Sequence, residues 1–359
     1  MPVTQKQYEK NKLVNHYLVE EHQHGMRLDQ FIQIYLSSFS RQKIKKKIDA
    51  GEITIIGRPG KIRPSSRIQN KDMISMIIHR TTHEDEWWNG KKLEIEEVPP
   101  IIFEDDNLLV IDKPPFMATH PTGRHVFNCA TIYFETIHKR TIHSIHRLDR
   151  ETSGTLLLAK SPKTAQIMTD HFEKGLVRKC YFFISKIDNT KYDGKKVFEV
   201  NDRLSPKGDG LERVIIISHP ENSSLGKKAQ THFEIMYVEN DYAIGLAFPR
   251  TGRQHQIRVH AALRGLPLVG DKLYLGNYPL FQRFKDNLAT PEDHELMEIP
   301  RHALHSIGLS LPYENKIEHF IGHIPQDLKE WIQDKLTISV VELEKKIKAR
   351  VDDYFSETD

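Results

Sequence analysis

The stretch His146-Arg147-Leu148-Asp149-Arg150-Glu151-Thr152-Ser153-Gly154-Thr155-Leu156-Leu157-Leu158-Ala159, with Lys160-Ser161-Pro162 after it, holds three signals in succession. A polar, turning segment carries Asp149 between two arginines. An apolar run over residues 155–159 predicts a strand. Ser161 followed by Pro162 then predicts a helix start, running to Lys174 and ended by Gly175. Upstream, residues 101–107 and 108–112 predict strand, turn and strand, broken by Lys113-Pro114-Pro115 and again by His120-Pro121, with a helix over 131–139. Downstream, residues 181–185, 229–237 and 242–248 predict strands. Residues 188–228 read as irregular and turn-rich, and 254–264 as a helix stopped by Gly265. Strands outnumber helices and do not alternate with them. The expected fold class is therefore α+β, with a mixed, mainly antiparallel sheet flanked by helices and loops, rather than a doubly wound sheet.

A smaller αβ domain precedes it. Leu28, Phe31, Ile32, Tyr35 and Leu36 recur at helical spacing, and a second helix begins at Ser40 and stops at Gly51. Short strands follow at 53–56 and 73–78. The expected boundaries are a tail over 1–14, the small domain over 15–80, a linker over 81–98, the main domain over 99–325 and a helical extension over 326–359. The second helix carries Arg41, Lys43, Lys45, Lys46 and Lys47, either a solvated face or a cationic surface for a phosphate backbone. Trp87-Trp88 in the linker reads as packing against a neighbouring domain, with base stacking as the alternative.

Totals narrow the class. With 359 residues, 38% hydrophobic and 28% charged, the chain has material for a core of its own. No apolar run reaches the roughly 20 residues that span a bilayer. The N-terminus lacks the pattern of a secretory or transit signal. Only Cys129 and Cys180 are present, which argues for a reducing compartment, so a cytoplasmic protein without a membrane partner is expected. Net charge is only +3, so the distribution of cations matters more than their sum.

Asp149 has two readings, a structural ion-paired carboxylate or, being held ionised by arginines in a loop beside a rigid strand, a nucleophile. Arg250, Arg253 and Arg258 with His255 and His260 form a second constellation at a strand-to-helix junction. It suits phosphate contact or carboxylate pairing, or else is an ordinary surface helix start. Tyr181, after Arg178-Lys179-Cys180, is a core aromatic or a stacking platform for an extruded base. The histidine pairs 143/146, 255/260 and 302/305 lack a cysteine cluster or a zinc-binding helix motif, so no metal is expected.

Longer motifs add a resemblance. HRLDRETSGTLLLAKS, KCYFFI, PRTGRQHQIRVHAALRGLPLVGDKLY, LLVIDKPPFMATHP, GKKAQTHFEIM and RHALHSIGLSL occur in an order that resembles the RluA-type pseudouridine synthase family, across about residues 101–325. GMRLDQFIQIYL, SRQKIKKKIDAGEITIIG and KIRPSSRIQNKDMI resemble the S-four-type RNA-binding domain over about 55 residues from Gly25. The resemblance implies an isomerase that turns uridine into pseudouridine in RNA. Ribosomal RNA is the favoured substrate and transfer RNA the alternative, with a monomeric enzyme and no cofactor. It implies Asp149 as the catalytic carboxylate, Arg147 as the residue holding the target nucleotide out of its helix, Tyr181 as the stacking partner and Arg258 as the ion-pair partner of Asp149. His146, Thr152, Lys179, Arg253, His255 and Ile257, within the same motifs, are expected at the substrate. Phe116 departs from the small residue usual after the paired prolines. Two rival classes are a non-catalytic RNA-binding or ribosome-assembly protein, and a carboxylate glycosidase or base-excising hydrolase. The second ordinarily needs a paired acid, and only Glu151 lies nearby.

Overall fold

A computed structural model describes residues 3–9, 11–35, 40–80, 84–121 and 125–357. The chain divides into two units. The first comprises Met1–Asp85 and His120–Arg140, the second Glu86–Thr119 and Thr141–Asp359.

In the first unit, strands Val3–Glu9, Lys12–Leu18, Met73–His79 and Ile53–Ile55 form a sheet in that order. Helices Leu28–Tyr35 and Arg41–Asp49 bury Leu28, Phe31, Ile32, Ile44 and Ile48 against Tyr17, Ile53 and Ile74. Leu36, expected on the first helical face, lies outside the described residues. The Ser40 hydroxyl accepts from the Lys43 N–H, satisfying a donor that the helix start would otherwise leave open. Within the expected tail over 1–14, Val3–Glu9 form a strand that pairs with Lys12–Leu18, whose first residues fall in the same range. Helix Ala130–His138 also belongs here. The Glu84 carboxylate accepts from the N–H groups of Val126, Phe127 and Asn128, and the Tyr8 hydroxyl donates to the Phe127 carbonyl. The 99–325 boundary therefore missed an excursion of the chain into the first unit. A segment held by hydrogen bonds leaves little periodicity to read.

The second unit is built on a ten-stranded sheet. Its strands run in the order Val197–Val200, Thr231–Glu239, Tyr242–Pro249, Arg178–Lys186, Leu304–Tyr313, Ser153–Ala159, Leu108–Lys113 and Ile101–Glu104. Lys316–Ile321 and His143–Ser144 pair off this path. Among the described residues every pairing in it is antiparallel except Ser153–Ala159 with Leu304–Tyr313, which run parallel. That junction needs Gly154. Its φ is +109°, and a Cβ there would lie 2.3 Å from the Ser306 carbonyl oxygen.

Three expectations are corrected. Residues 81–98 are not a plain linker, because Trp87–Trp88 and Lys91–Lys92 form a hairpin, with Trp88 stacked on Phe284. Residues 188–228 are not irregular throughout. They hold the strand Val197–Val200 and a three-stranded sheet of Ile216–His219, Arg203–Pro206 and Lys227–Lys228, strands too short and charged to show alternation. Nor are residues 326–359 an extension. Helices Gln326–Lys335 and Val340–Ser356 place Leu328, Trp331, Ile332, Leu343, Ile347, Val351 and Phe355 in one core with Phe182, Leu246 and Ile307 of the sheet. Among the described residues no helix is long and apolar enough to cross a membrane.

Candidate active site

Within the second unit a cleft of about 180 Å³ is lined by Asp149, Arg147, Tyr181, Arg253, His255 and Arg258, among others. Asp149 sits in the turn before Ser153–Ala159, where the Thr152 N–H donates to the Asp149 carbonyl at 3.0 Å. Thr152 is buried, and its hydroxyl lies 2.7 Å from His302 Nε2. Ser153 is tied to His305 at 2.9 Å. Glu151, beside them, binds the Lys272 ammonium at 3.0 Å and accepts from the His302 N–H. Arg150 pairs with Glu86 rather than with Asp149. The turn is thus gripped from both sides, which leaves the Asp149 carboxylate facing the cleft.

Arg258 supplies the charge opposite. It comes from helix Gln256–Leu263 and is buried. Nη1 donates to Asp149 Oδ2 at 3.1 Å, while Nε and Nη2 donate to the two oxygens of Asp271 at 2.7 and 2.8 Å. The fork with Asp271 fixes the guanidinium plane, so only one edge is offered to Asp149. Burial alone would raise the Asp149 carboxyl. His255, Arg258 and His302 outweigh burial, and it lies well below the ordinary carboxylate range. Burial works against the Arg258 cation too, but Asp271 and Asp149 more than compensate. Of the two readings of Arg258, the geometry matches carboxylate pairing, since Nε, Nη1 and Nη2 each donate to a carboxylate.

The rest of the expected cationic cluster dissolves on inspection. His255 is pulled down to about 4, by burial first and then by Arg258, so it is neutral near pH 7. Its Nδ1 is 2.9 Å from the Tyr274 hydroxyl and its Nε2 is 3.8 Å from Asp149 Oδ2. His260 is fully buried against Thr231 and also falls to about 4, mainly through burial. Arg253 stays exposed on the cleft rim, its Nε donating to the Lys228 carbonyl.

The remaining residues fall into two groups. Tyr181 lines the cleft half-buried, from strand Arg178–Lys186 opposite Ser306. Burial pushes its hydroxyl up to about 12. Lys179 donates to the Thr251 carbonyl at 3.0 Å and is drawn down to about 8 by burial, then by Arg253. Arg147 is exposed on the rim, and Ile257 joins cleft wall and core. His146 is the exception. Its Nε2 accepts from the Leu157 N–H at 3.0 Å and its ring stacks on Phe172, so it braces the strand outside the cleft. Arg41, Lys43, Lys45 and Lys46 are exposed on their helix in the first unit, while Lys47 pairs with Glu52.

Sequence reading missed Asp271, Tyr274 and the Glu151–His302–Lys272 group. The available signal was the Gly-Asp of Gly270-Asp271. Gly270 has φ +75°, and a Cβ there would lie 1.9 Å from the Arg301 carbonyl oxygen.

Comparison with known proteins agrees with this architecture. Residues 107–263 match the RNA pseudouridylate synthase family. The ribosomal large subunit pseudouridine synthase D of Haemophilus influenzae is 30% identical over 321 residues, covering 87% of this chain and 92% of that protein. The mitochondrial tRNA pseudouridine(32) synthase of Saccharomyces cerevisiae is 31% identical over 247 residues, covering 68% of this chain and 50% of that one. A solved structure of human RNA pseudouridylate synthase domain containing 1 shares the fold, with a TM-score of 0.52 at 18% identity over 70% of this chain and 96% of that one. With a cleft built around Asp149 and likeness running along most of both chains, this protein belongs to the RluA-type family of RNA pseudouridine synthases, isomerases that convert uridine in RNA to pseudouridine.

Proposed function

We propose that Asp149 is the nucleophile of this isomerisation and that the substrate is ribosomal RNA. The observation carrying the first part is the Asp149–Arg258–Asp271 chain, which keeps a cleft-facing carboxylate ionised and fixed in direction. A uridine enters the cleft flipped from its helix, at a cost of about a few kcal/mol that stacking and phosphate contacts offset. Tyr181 stacks on the uracil, and Arg147 at the rim helps hold the nucleotide out. Lys179, Arg253, Thr152 and Ile257 shape and hold the pocket around it. Asp149 attacks the uracil ring or the anomeric carbon. The bond between N1 of the base and the anomeric carbon breaks, and the base turns and rejoins that carbon through its carbon 5, whose proton is lost.

Ribosomal RNA is favoured by likeness to synthase D along nearly its whole length, whereas the transfer-RNA relative is matched over half of its own. The first unit, with its resemblance to the S-four-type domain, offers the Arg41–Asp49 helix to the RNA backbone. Two buried cysteines suit a reducing, cytoplasmic setting.

Two experiments test this. Asp149→Asn must abolish tritium release from RNA labelled at uridine carbon 5, and retained release overturns the nucleophile assignment. Mapping pseudouridine across total RNA with and without the gene must show a lost site in ribosomal RNA. Loss confined to transfer RNA would replace that substrate.

A further inference from the structure

His255 stands in the left-handed region, with φ +53°, immediately before helix Gln256–Leu263. That conformation turns its ring back between Tyr274 and Asp149. The Ile216 N–H donates to the Tyr274 hydroxyl oxygen at 3.0 Å. With one lone pair of that oxygen occupied, the hydroxyl is placed to donate its proton to His255 Nδ1, 2.9 Å away. Burial pushes the Tyr274 hydroxyl far up, so it keeps its proton. Nδ1 is then an acceptor and Nε2 carries the hydrogen. The negative charge of Asp149, 3.8 Å from Nε2, favours the same tautomer. This distance is beyond hydrogen-bond reach, so the Nε2–H faces the carboxylate across a gap instead of binding it. His255 lines the cleft at that gap.

We propose that His255 donates its Nε2–H to a carbonyl oxygen of the uracil as that ring takes on negative charge. This rests on the reading of Asp149 as the group that attacks uridine in this cleft. The need for a donor does not depend on which atom is attacked. Attack at the anomeric carbon breaks the bond to N1, and its electron pair leaves with the uracil. Attack on the ring pushes the pair of the ring double bond toward the conjugated carbonyl. Either way charge gathers on carbonyl oxygens, and no proton leaves His255. A neutral donor suits this step because it stabilises that anion without cancelling the charge of Asp149. Arg258 is unsuited to the task, being bound on three sides by Asp149 and Asp271. Donors aimed at charge that develops during reaction act on turnover more than on binding.

His255→Gln and His255→Asn decide the matter. The Gln amide N–H reaches the position of Nε2, whereas the Asn amide reaches only that of Nδ1. Asn is also well suited to a positive φ. Substrate is total RNA from cells lacking the gene, labelled with tritium at uridine carbon 5, and Asp149→Asn runs alongside. The expected result is a kcat for Gln within about tenfold of the parent and for Asn down by about 10²-fold or more, with KM changed by less than about threefold in both. Equal kcat losses in Gln and Asn, or losses that appear in KM alone, overturn the proposal. If Asn melts early, His255→Leu replaces it, and Gln must still exceed Leu. Release that survives in Asp149→Asn defeats the nucleophile reading instead, so the two failures are told apart.

Discussion

Arg258 commits Nε and Nη2 to Asp271 and Nη1 to Asp149, and that division gives a cleft carboxylate its direction. A lysine cannot reproduce a planar fork bound at both ends. Arg258→Lys should lower kcat by about 10²-fold or more while changing the RNA KM by less than about threefold, measured by tritium release. Equal losses in both would mean that Arg258 contacts phosphate. The pH dependence follows from the same geometry. With Arg258 present, Asp149 stays ionised below the usual carboxylate range, so acidification toward about pH 5 does not protonate it. Arg258→Gln removes the permanent cation and leaves burial, which raises a carboxyl, opposed only by His255 and His302. The acidic limb of residual activity should therefore move to higher pH, and an unmoved limb would show that other charges hold Asp149 down. Asp149 and Arg258 were legible as sequence motifs. Asp271 was not given a role, because its meaning lies in a guanidinium thirteen positions away in the chain and opposite it in space.

At the scale of elements, caps and glycines were readable and strand pairing was not. Ser40 and Ser161 each cap a helix where the sequence placed one. The Arg41–Asp49 helix presents Lys45 and Lys46 to solvent. Replacing both with alanine should weaken RNA binding and reduce the slope of log affinity against log salt by about 2, with kcat at saturating RNA unchanged. An unaltered salt slope would leave this face merely solvated. The strand Ser153–Ala159 shows the other side. It is buried along its whole length, so no alternation marks its faces, and its one parallel neighbour arrives from residues 304–313. Gly154→Ala should cost roughly 3 kcal/mol or more, from the left-handed backbone and the clash with Ser306 together. A melting curve matching the parent would show that the strands part easily.

The whole molecule depends on its C-terminal helices more than their charged sequence indicates. Helix Gln326–Lys335 brings Asp327 to the fully buried Arg301, whose Nη1 contacts the Glu151 carbonyl beside the Asp149 turn. Ending the chain at 325 would strand that guanidinium without its carboxylate and uncover the core holding Leu328, Ile332, Leu343 and Phe355. Such a chain should fail to fold cooperatively, and Leu343→Ala in the full chain should cost about 2–5 kcal/mol in denaturant unfolding. A cooperatively folding truncation would show that these helices are dispensable. The family resemblance supplied the arginine partner of Asp149, and from the sequence alone came the α+β class, several helix boundaries and the polar turn that carries that carboxylate. Local chemistry sets all of these: periodicity, caps, and motifs short enough to be contiguous. Only the tertiary structure decided that residues 120–140 join the first unit, that the C-terminal helices complete the core, and that the His255 ring sits between Tyr274 and Asp149, where burial lowers its affinity for a proton. Those outcomes depend on burial and on partners far apart in the chain, and burial is what reverses the charge a residue would carry in water.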